Sequence, residues 1–144
     1  MPMTTVQRHA LVRHSAARMF DLVNDVAAYP RRFAWCEATE VREESPEHML
    51  ARLDLTMGGL RTWFTTRNVL VRPTRIEMTL VEGPFTRLAG LWQFQPLAED
   101  ACKVSLRLDF ELAGKLLGGA MALGFSGLAD RMVDDFSKAA DRDD

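Results

Sequence analysis

Apolar and polar residues alternate through most of the middle of the chain, between residues 36 and 112. Successive side chains of a strand point to opposite faces of a sheet, so a period of two predicts β-strands. The clearest example is residues 102–112, where apolar residues occupy every even-numbered position. Gly58-Gly59 is typical of a two-residue hairpin turn, and Glu82-Gly83-Pro84 marks a second turn. The pattern predicts six strands in this region, preceded by a first strand over residues 6–14.

Two other segments show the spacing of an amphipathic helix. Ser15 is a preferred N-cap residue, and apolar residues at positions 19, 20, 22, 23 and 26 form one side of a short helix after it. Pro30 is expected to stop or redirect this segment, because the residue before a proline disfavours helical dihedral angles. A second, longer helical pattern runs from about residue 114 to residue 140. Its apolar residues are Leu117, Met121, Phe125, Leu128, Met132, Val133 and Phe136.

The order of these elements predicts a single α+β domain over residues 1–144. An antiparallel sheet with one solvated face needs a cover on its other face, and the C-terminal helix is the only element long enough to provide it. We therefore predict a curved antiparallel sheet of about seven strands wrapped around one long C-terminal helix, with one or two short helices after the first strand.

The charge of the chain argues against binding to DNA. The net charge is −2, whereas nucleic-acid-binding domains usually have a strong basic excess. The distribution is uneven, because residues 1–75 contain 11 arginines against 8 acidic residues while the rest of the chain is acidic. A local basic face therefore remains compatible with the sequence.

Cysteine usage and hydropathy indicate a cytoplasmic protein. Cys36 and Cys102 fit neither a CxxC motif nor zinc-ligand spacing, and we expect both to be reduced and buried. The first residues lack the apolar core of a signal peptide, and no stretch approaches the ~20 apolar residues of a membrane span. Any membrane contact is expected to be peripheral, at the inner face of the cell membrane.

The chain contains segments that resemble catalytic and phosphate-binding motifs but do not match them. The three histidines are isolated, and Gly114-Lys115 lacks the glycine pattern of a phosphate-binding loop. The segment GFSGL has Leu128 where a nucleophile elbow needs glycine, and its context is helical. We predict neither catalytic residues nor a metal site.

Two segments are unusual for their positions. Residues 116–129, LLGGAMALGFSGLA, contain four glycines and no charge, although a glycine inside a helix costs about 1 kcal/mol relative to alanine. Such residues can let the helix approach the sheet closely, leave room for a ligand, or let the helix loosen and touch a membrane. The strand near residues 60–70 carries polar groups on both faces, so Arg67 or Asn68 could hold a carbonyl or hydroxyl group of a ligand. The alternative places Arg67 on an outer face.

Short segments along almost the whole chain match one known family in order. They are Ala10-Leu11-Val12, Leu22-Val23-Asn24-Asp25-Val26, Tyr29-Pro30, Trp35-Cys36, Phe64-Thr65-Thr66-Arg67-Asn68, Gly83-Pro84-Phe85, Leu88, Gly90, Trp92-Gln93-Phe94, Pro96-Leu97, Cys102, Phe110-Glu111, Met132-Val133 and Phe136. On these segments the sequence resembles the coenzyme-Q-binding, START-like family of the polyketide cyclase/dehydrase superfamily, which also includes the bacterial ribosome-association toxin. The resemblance implies the helix-grip (START/Bet v 1-like) fold, in agreement with the periodicity.

The resemblance implies three functions. The first choice is a non-enzymatic protein that holds ubiquinone or a similar isoprenoid lipid in a cavity between sheet and C-terminal helix and supports respiratory electron transport. The alternative is a toxin that binds the large ribosomal subunit and blocks subunit joining. The third is an enzyme of the polyketide cyclase or aromatase type. No cofactor is required, and the expected partners are a hydrophobic small molecule with peripheral membrane contact, or the large ribosomal subunit.

We expect the ligand cavity to be lined from the inner face of the sheet, the C-terminal helix and the loop after the first helices. The expected lining residues are Phe33, Trp35, Phe64, Asn68, Met78, Leu80, Phe85, Trp92, Leu106, Leu108, Phe110, Met121, Phe125, Leu128 and Met132. Apolar cavities with a few polar groups are the usual form of a small-molecule site.

The segment YPRRFAWC, residues 29–36, combines aromatic surface with positive charge. Members of the family usually read Tyr-Pro-x-Phe-Leu-Pro-Trp-Cys here, so Arg32 replaces an aromatic residue and Ala34 replaces a proline. We predict that Tyr29, Phe33 and Trp35 form a rim at the mouth of the cavity. Arg31 and Arg32 would then face outward, toward lipid head groups or RNA phosphates. The alternative is an ordinary hydrophobic cluster with solvated arginines.

Overall fold

Seven antiparallel strands form one sheet in the computed structural model, which describes residues 3–57, 59–114 and 118–142. The strands are β1 (Thr4–Val12), β2 (Cys36–Glu44), β3 (His48–Met57), β4 (Leu60–Val71), β5 (Arg75–Glu82), β6 (Phe85–Ala98) and β7 (Ala101–Leu112). The helical elements are α1 (Ala16–Asn24), a 3₁₀ turn (Val26–Ala28), α2 (Tyr29–Arg32) and α3 (Gly118–Asp141). The strand order is β1-β7-β6-β5-β4-β3-β2, so six strands form a meander and β1 joins its far edge.

The α+β helix-grip architecture is confirmed. The long helix α3 packs on β1, β7 and α1, and the buried side chains of the sheet alternate with exposed ones as the period of two requires. Cys36 and Cys102 are buried free thiols, as predicted. The boundaries of β1 lie two residues earlier than expected.

Several residues used in the sequence predictions lie outside the described residues. They are Gly58, Lys115, Leu116 and Leu117. The hairpin expected at Gly58-Gly59 is nevertheless confirmed on both of its sides, because Met57 pairs with Leu60 across it. Helix α3 is described from Gly118 onward, four residues after its expected start.

Pro30, predicted to stop or redirect the chain, does not stop it, because the proline lies inside the short helix α2. Pro30 occupies one of the first positions of α2, where its missing N–H needs no partner and its fixed φ suits a helix. The helical turn ends at Phe33, whose backbone N–H donates to the Tyr29 carbonyl oxygen at 2.9 Å. The predicted N-cap is confirmed, since the Arg18 backbone N–H donates to Ser15 Oγ at 3.1 Å.

Close packing against the sheet does not explain Gly119, Gly124 and Gly127 of α3. A Cβ added at Gly119 or Gly127 would meet no atom within 4 Å, and at Gly124 the nearest atom is the Met57 Cβ at 3.5 Å, an ordinary contact. None of the helices in the described part of the chain is long and apolar enough to cross a membrane.

Gly83, in the turn between β5 and β6, is required for both conformation and space. Its φ is +148°, and a Cβ there would lie 3.0 Å from the Phe64 Cβ and 3.0 Å from the Trp63 carbonyl oxygen. Both atoms are fixed to the backbone of β4 and have no room to move aside.

Gly83→Ala should lower the free energy of unfolding by about 2–3 kcal/mol, because backbone strain adds to the steric overlap. Urea denaturation followed by tryptophan fluorescence measures the loss. Gly59→Ala is the matched control, since Gly59 has a φ of +90° but open space around its Cβ position; it should cost about 1 kcal/mol. Equal losses in the two variants would contradict a steric role for β4.

Candidate functional site

A small cavity lies between the inner face of the sheet, α1 and α3. Its volume is about 50 Å³. The residues that line it are Val23, Asn24, Val26, Tyr29, Leu53, Phe64, Thr66, Asn68, Ile76, Met78, Leu88, Trp92, Leu106, Leu108, Phe125, Met132 and Phe136. The lining is mainly aliphatic and aromatic, as in most small-molecule sites.

Two asparagines and a threonine, together with the Tyr29 hydroxyl, give this cavity a polar part. Thr66 and Asn68 reach it from β4, and the Thr66 hydroxyl donates to Asn68 Oδ1 at 2.8 Å. Asn24 reaches it from the end of α1, and its Oδ1 is buried with no hydrogen-bond partner among the described residues. A buried oxygen without a donor raises the free energy of the folded state, so a donor that entered the cavity would stabilise it.

Tyr29 is the titratable residue among the described residues that line the cavity. Its hydroxyl donates to the carbonyl oxygen of Val23. Burial raises the pKa of Tyr29 far above its ordinary value, and the nearby Cys36 and Asp25 raise it further. The cavity is therefore uncharged at neutral pH, and its described lining offers no acid or base with a pKa near 7.

Eight of the fifteen expected lining residues lie around the cavity. They are Phe64, Asn68, Met78, Trp92, Leu106, Leu108, Phe125 and Met132. The inner face of the sheet and one side of α3 bring them together, as the strand and helix periods predict. Their role in binding a ligand stays a prediction.

The other seven expected lining residues lie elsewhere. Phe85 and Phe110 pack with Phe125 in an aromatic cluster further along the core, with ring centroids 5.2 Å and 4.7 Å from that of Phe125. Leu80 and Met121 are partly buried against the core. Leu128 lines a surface groove beside α3. Phe33 and Trp35 belong to the loop cluster described below.

Eight cavity residues fall outside the sequence prediction. They are Val23, Asn24, Val26, Leu53, Thr66, Ile76, Leu88 and Phe136. The apolar side of α1 includes Val23, and Thr66 shares the inner face of β4 with Phe64, so both positions carried a usable signal. The sequence contains no signal that Asn24 lines the cavity, because a polar residue at the end of a helix is ordinarily solvated.

The loop aromatics, predicted to form a rim at the mouth of the cavity, pack into a closed cluster, and of the three rings Tyr29 lines the cavity. Tyr29, Phe33 and Trp35 are 6%, 5% and 6% exposed. Phe33 stacks on Trp35 with centroids 4.7 Å apart, and Phe33 meets Phe136 of α3 edge-on, also at 4.7 Å. The Trp35 Nε1–H donates to Asp135 Oδ2 at 2.9 Å. For Phe33 and Trp35, which do not line the cavity, the alternative interpretation of a hydrophobic cluster fits the contacts.

The arginines near this cluster and on β4 differ in exposure. Arg31 is exposed, as predicted. Arg32 is not solvated, contrary to prediction, because its side chain is 8% exposed and lies 3.1 Å from Asp25 Oδ2. Arg67 lies on the outer face of β4, 3.8 Å from Glu43, and does not reach the cavity. Adjacent strand residues face opposite sides, so the inward position of Asn68 puts Arg67 outside.

Alkaline pH should destabilise the protein through buried thiol and phenol groups, since burial raises the pKa of Cys102 as well as those of Cys36 and Tyr29. Burial raises the pKa of Cys36 from 9.0 to about 11, and it raises that of Tyr29 from 10.0. The unfolded chain therefore releases these protons at lower pH than the folded chain. Stability is fully present below the unfolded pKa values and is lost as pH rises through the folded ones.

We expect the free energy of unfolding, measured by urea denaturation at a series of pH values, to fall from about pH 9 upward. Cys36→Ala should reduce the loss between about pH 9 and 11, and Tyr29→Phe should reduce it above about pH 10. Profiles identical to that of the unmodified protein in both variants would contradict this origin.

A family model described as "Polyketide cyclase / dehydrase and lipid transport" matches residues 12–137. The chain belongs to this family. Membership alone does not assign an activity, since the family spans enzymes and carriers.

Within the polyketide cyclase/dehydrase and lipid transport family, the chain is similar to ribosome association toxin RatA of Pseudomonas aeruginosa. The two are 48% identical over 137 residues, which cover 95% of each chain. It is also similar to the mitochondrial coenzyme Q-binding protein coq10 of Schizosaccharomyces pombe. That identity is 27% over 135 residues, covering 90% of this chain and 82% of coq10.

Among solved structures of this fold, the chain is similar to the Zhui aromatase/cyclase from Streptomyces sp. R1128. The TM-score is 0.82 at 22% sequence identity, covering 98% of this chain and 95% of the other. A likeness at this identity shows the shared fold and leaves the activity open.

Proposed function

We propose that this protein associates with ribosomes, through the large subunit, and interferes with subunit joining in the cytoplasm. The observation that carries the proposal is the 48% identity to RatA of Pseudomonas aeruginosa. Over 137 aligned residues this amounts to about 66 identical positions, more than the 40 buried side chains of the described residues. The identity therefore extends to the surface, where a protein of this kind would contact a ribosome.

The size of the cavity supports a surface function over a carrier function. A water molecule occupies about 30 Å³ of the liquid, and small-molecule sites usually measure about 300–1,000 Å³. A cavity of about 50 Å³ is several times smaller than such sites and too small for an isoprenoid quinone unless it expands. A cyclase receives no support from the lining, because general acid–base catalysis needs a group that titrates near neutral pH.

Sedimentation with purified ribosomal particles tests the proposal. The protein is incubated with isolated large subunits, isolated small subunits, or both together at a magnesium concentration that permits joining, and then centrifuged through a sucrose gradient. We expect it to sediment with the large subunit and to reduce the fraction of joined ribosomes. Absence from every particle fraction, or binding with unchanged joining, would overturn the corresponding part of the proposal.

A second candidate, the carrier of an apolar ligand with a polar head, is favoured by the unpartnered Asn24 oxygen inside the cavity. The similarity to coq10 supports the same candidate, with ubiquinone or another isoprenoid lipid as its ligand. Binding would require the cavity to expand, and the flexible side chains of Met78 and Met132 in its wall are suited to that. Mass spectrometry of an organic extract of protein purified without detergent tests it. Stoichiometric quinone supports the carrier, and an extract without quinone or other isoprenoid lipid would contradict it.

A further inference from the structure

Strand β2 (Cys36–Glu44) forms one edge of the sheet, and β3 is its single strand partner in the described part of the chain. An edge strand presents the backbone N–H and C=O groups of its other side without a strand to receive them. The strand is also open to solvent, because six of its nine residues are exposed. Such an edge can accept an extended segment of another protein through main-chain hydrogen bonds.

The edge keeps an excess of negative charge after its ion pairs are counted. Four carboxylates on β2 and β5 pair with three arginines, while Glu44 and Glu47 are exposed and pair with no described residue. Six negative charges therefore face three positive ones. The pairs are Glu37 with Arg61, Glu40 and Glu82 with Arg42, and Glu43 with Arg67.

The ion pairs that reach β2 from β4 are weak and exposed. Arg67 lies 3.8 Å from Glu43, and the Arg61 side chain that pairs with Glu37 is 78% exposed. Exposed pairs of this kind contribute about 0–1 kcal/mol, so a cation of a partner can replace these arginines at small cost.

Two irregularities shorten the part of β2 that a partner strand can follow. They lie between Cys36 and Ala38 and between Val41 and Glu43, so residues 38–41 form the regular run. A second copy of β2 would bring like charges together, whereas a basic strand would bring opposite charges together. The edge therefore selects a short basic segment over a copy of itself.

We propose that β2 pairs with an extended basic segment of a protein of the large ribosomal subunit, an inference that rests on the proposed ribosome association. The surface of a ribosome offers RNA phosphates and proteins that bind them, and such proteins are rich in lysine and arginine. An acidic edge repels the phosphates and attracts the proteins. The main-chain hydrogen bonds supply the register of the contact, and the carboxylates supply the choice of partner.

Two double variants that remove the same charge test the partner. Glu44→Gln with Glu47→Gln removes the two unpaired acids at the end of the edge. Glu99→Gln with Asp100→Asn is the matched control, because these acids are exposed in the turn between β6 and β7 and pair with no described residue. Affinity for purified large subunits is measured at a series of salt concentrations, and circular dichroism verifies that both variants fold.

We expect the edge variant to bind large subunits about fivefold more weakly and the control variant to stay within about twofold of the unmodified protein. The difference should shrink as salt rises. The direction of the change separates the two components of the ribosome, because removing acids that lie beside RNA phosphates would strengthen binding. Stronger or unchanged binding of the edge variant overturns the inference, and so does equal weakening in the control.

Amide hydrogen exchange tests the strand pairing itself. The probe is a capped octapeptide of alternating lysine and threonine, and its control is an octapeptide of alternating glutamate and threonine. The basic peptide should slow exchange at residues 37–44 and leave β1, the strand at the opposite edge, unchanged. Slowed exchange at β1 instead, equal effects of the two peptides, or no effect of the basic peptide would overturn the pairing.

The outcomes separate this inference from the proposed function. If the unmodified protein binds no large subunit, the proposed function and the identity of the partner fail together, and the peptide experiment still decides whether β2 accepts a basic strand. If it binds and the edge variant matches its affinity, the inference alone is overturned. Dimers of the unmodified protein that the edge variant does not form would identify the occupant as a second copy and overturn it as well.

Discussion

Phe136→Ala should lower the free energy of unfolding by about 3–5 kcal/mol. Phe136 is 1% exposed and connects three parts of the fold. Its ring lies 5.4 Å from that of Tyr29 in α2 and 4.7 Å from that of Phe33 in the loop, measured between centroids. It lies 5.3 Å from Trp92 of β6. Each such aromatic pair adds about 0.5–1.5 kcal/mol beyond the burial of area, so the loss should fall in the upper part of the range.

Urea denaturation of the purified variant measures this loss. Leu123→Ala is the matched control in the same helix, because Leu123 is 77% exposed and its truncation should change stability by less than about 0.5 kcal/mol. Phe136 also lines the interior cavity, so its removal should enlarge a space that accepts a small aromatic molecule. Indole should therefore raise the melting temperature of the variant and leave that of the unmodified protein unchanged. A loss below about 1 kcal/mol would contradict the packing of the loop cluster on α3.

The sheet was predictable because each strand has one buried and one solvated face. In β7 the even-numbered residues from Cys102 to Phe110 are buried, and the alternation alone identifies them. The long helix was predictable for a similar reason, since Phe125, Val133 and Phe136 recur at helical spacing and are all buried.

The depth of each residue within the core was not predictable from the period. Leu108 and Phe110 share one face of β7, yet Leu108 lines the cavity and Phe110 packs with Phe125 further along the core. Periodicity identifies the face of a strand and carries no information on position along the sheet, which depends on the register between strands. The predicted lining residues of the strands therefore lie on the correct face of the sheet, but they include both cavity residues and residues packed elsewhere in the core.

The loop after α1 illustrates a second limit. The loop contains aromatic and basic residues, and this composition is compatible with either a rim at the mouth of the cavity or a buried cluster. The deciding contacts come from α3, where Phe136 receives the rings and Asp135 accepts from Trp35, residues about 100 positions away in sequence. Such long-range contacts have no local signal.

The packing of Met78 occupies part of the space between sheet and helix, and the sequence does not reveal this packing. Gly90 of β6 leaves a gap that Met78 of β5 fills, so closely that a Cβ at Gly90 would overlap Met78 Cε. An unbranched side chain with three rotatable bonds can point into or away from such a gap. The sequence therefore predicted a cavity large enough for a lipid, whereas the packed side chains leave a volume of about 50 Å³.

Thr66→Val combined with Asn68→Leu should leave the free energy of unfolding unchanged or raise it by about 1 kcal/mol. The two side chains bond each other in the buried inner face, and apolar groups of similar shape replace both partners at once. If the cavity holds the polar head of a ligand, the same change removes its hydrogen-bonding groups on β4, and the affinity for that ligand should fall about 100-fold. A gain in stability with a loss of binding would mark the pair as a functional feature.

Thr62→Val is the matched control on the same strand, because Thr62 is buried, its Oγ1 has no partner among the described residues, and it does not line the cavity. It should raise stability without any change in binding. The readouts are thermal unfolding, quenching of Trp92 fluorescence by a short-chain ubiquinone, and sedimentation with large subunits. If the double variant kept its affinity for quinone, Asn68 would not be part of the binding site. Unchanged ribosome affinity, in contrast, is expected if the ribosome contacts the surface, and its loss would mean that the interior cavity and the surface act together.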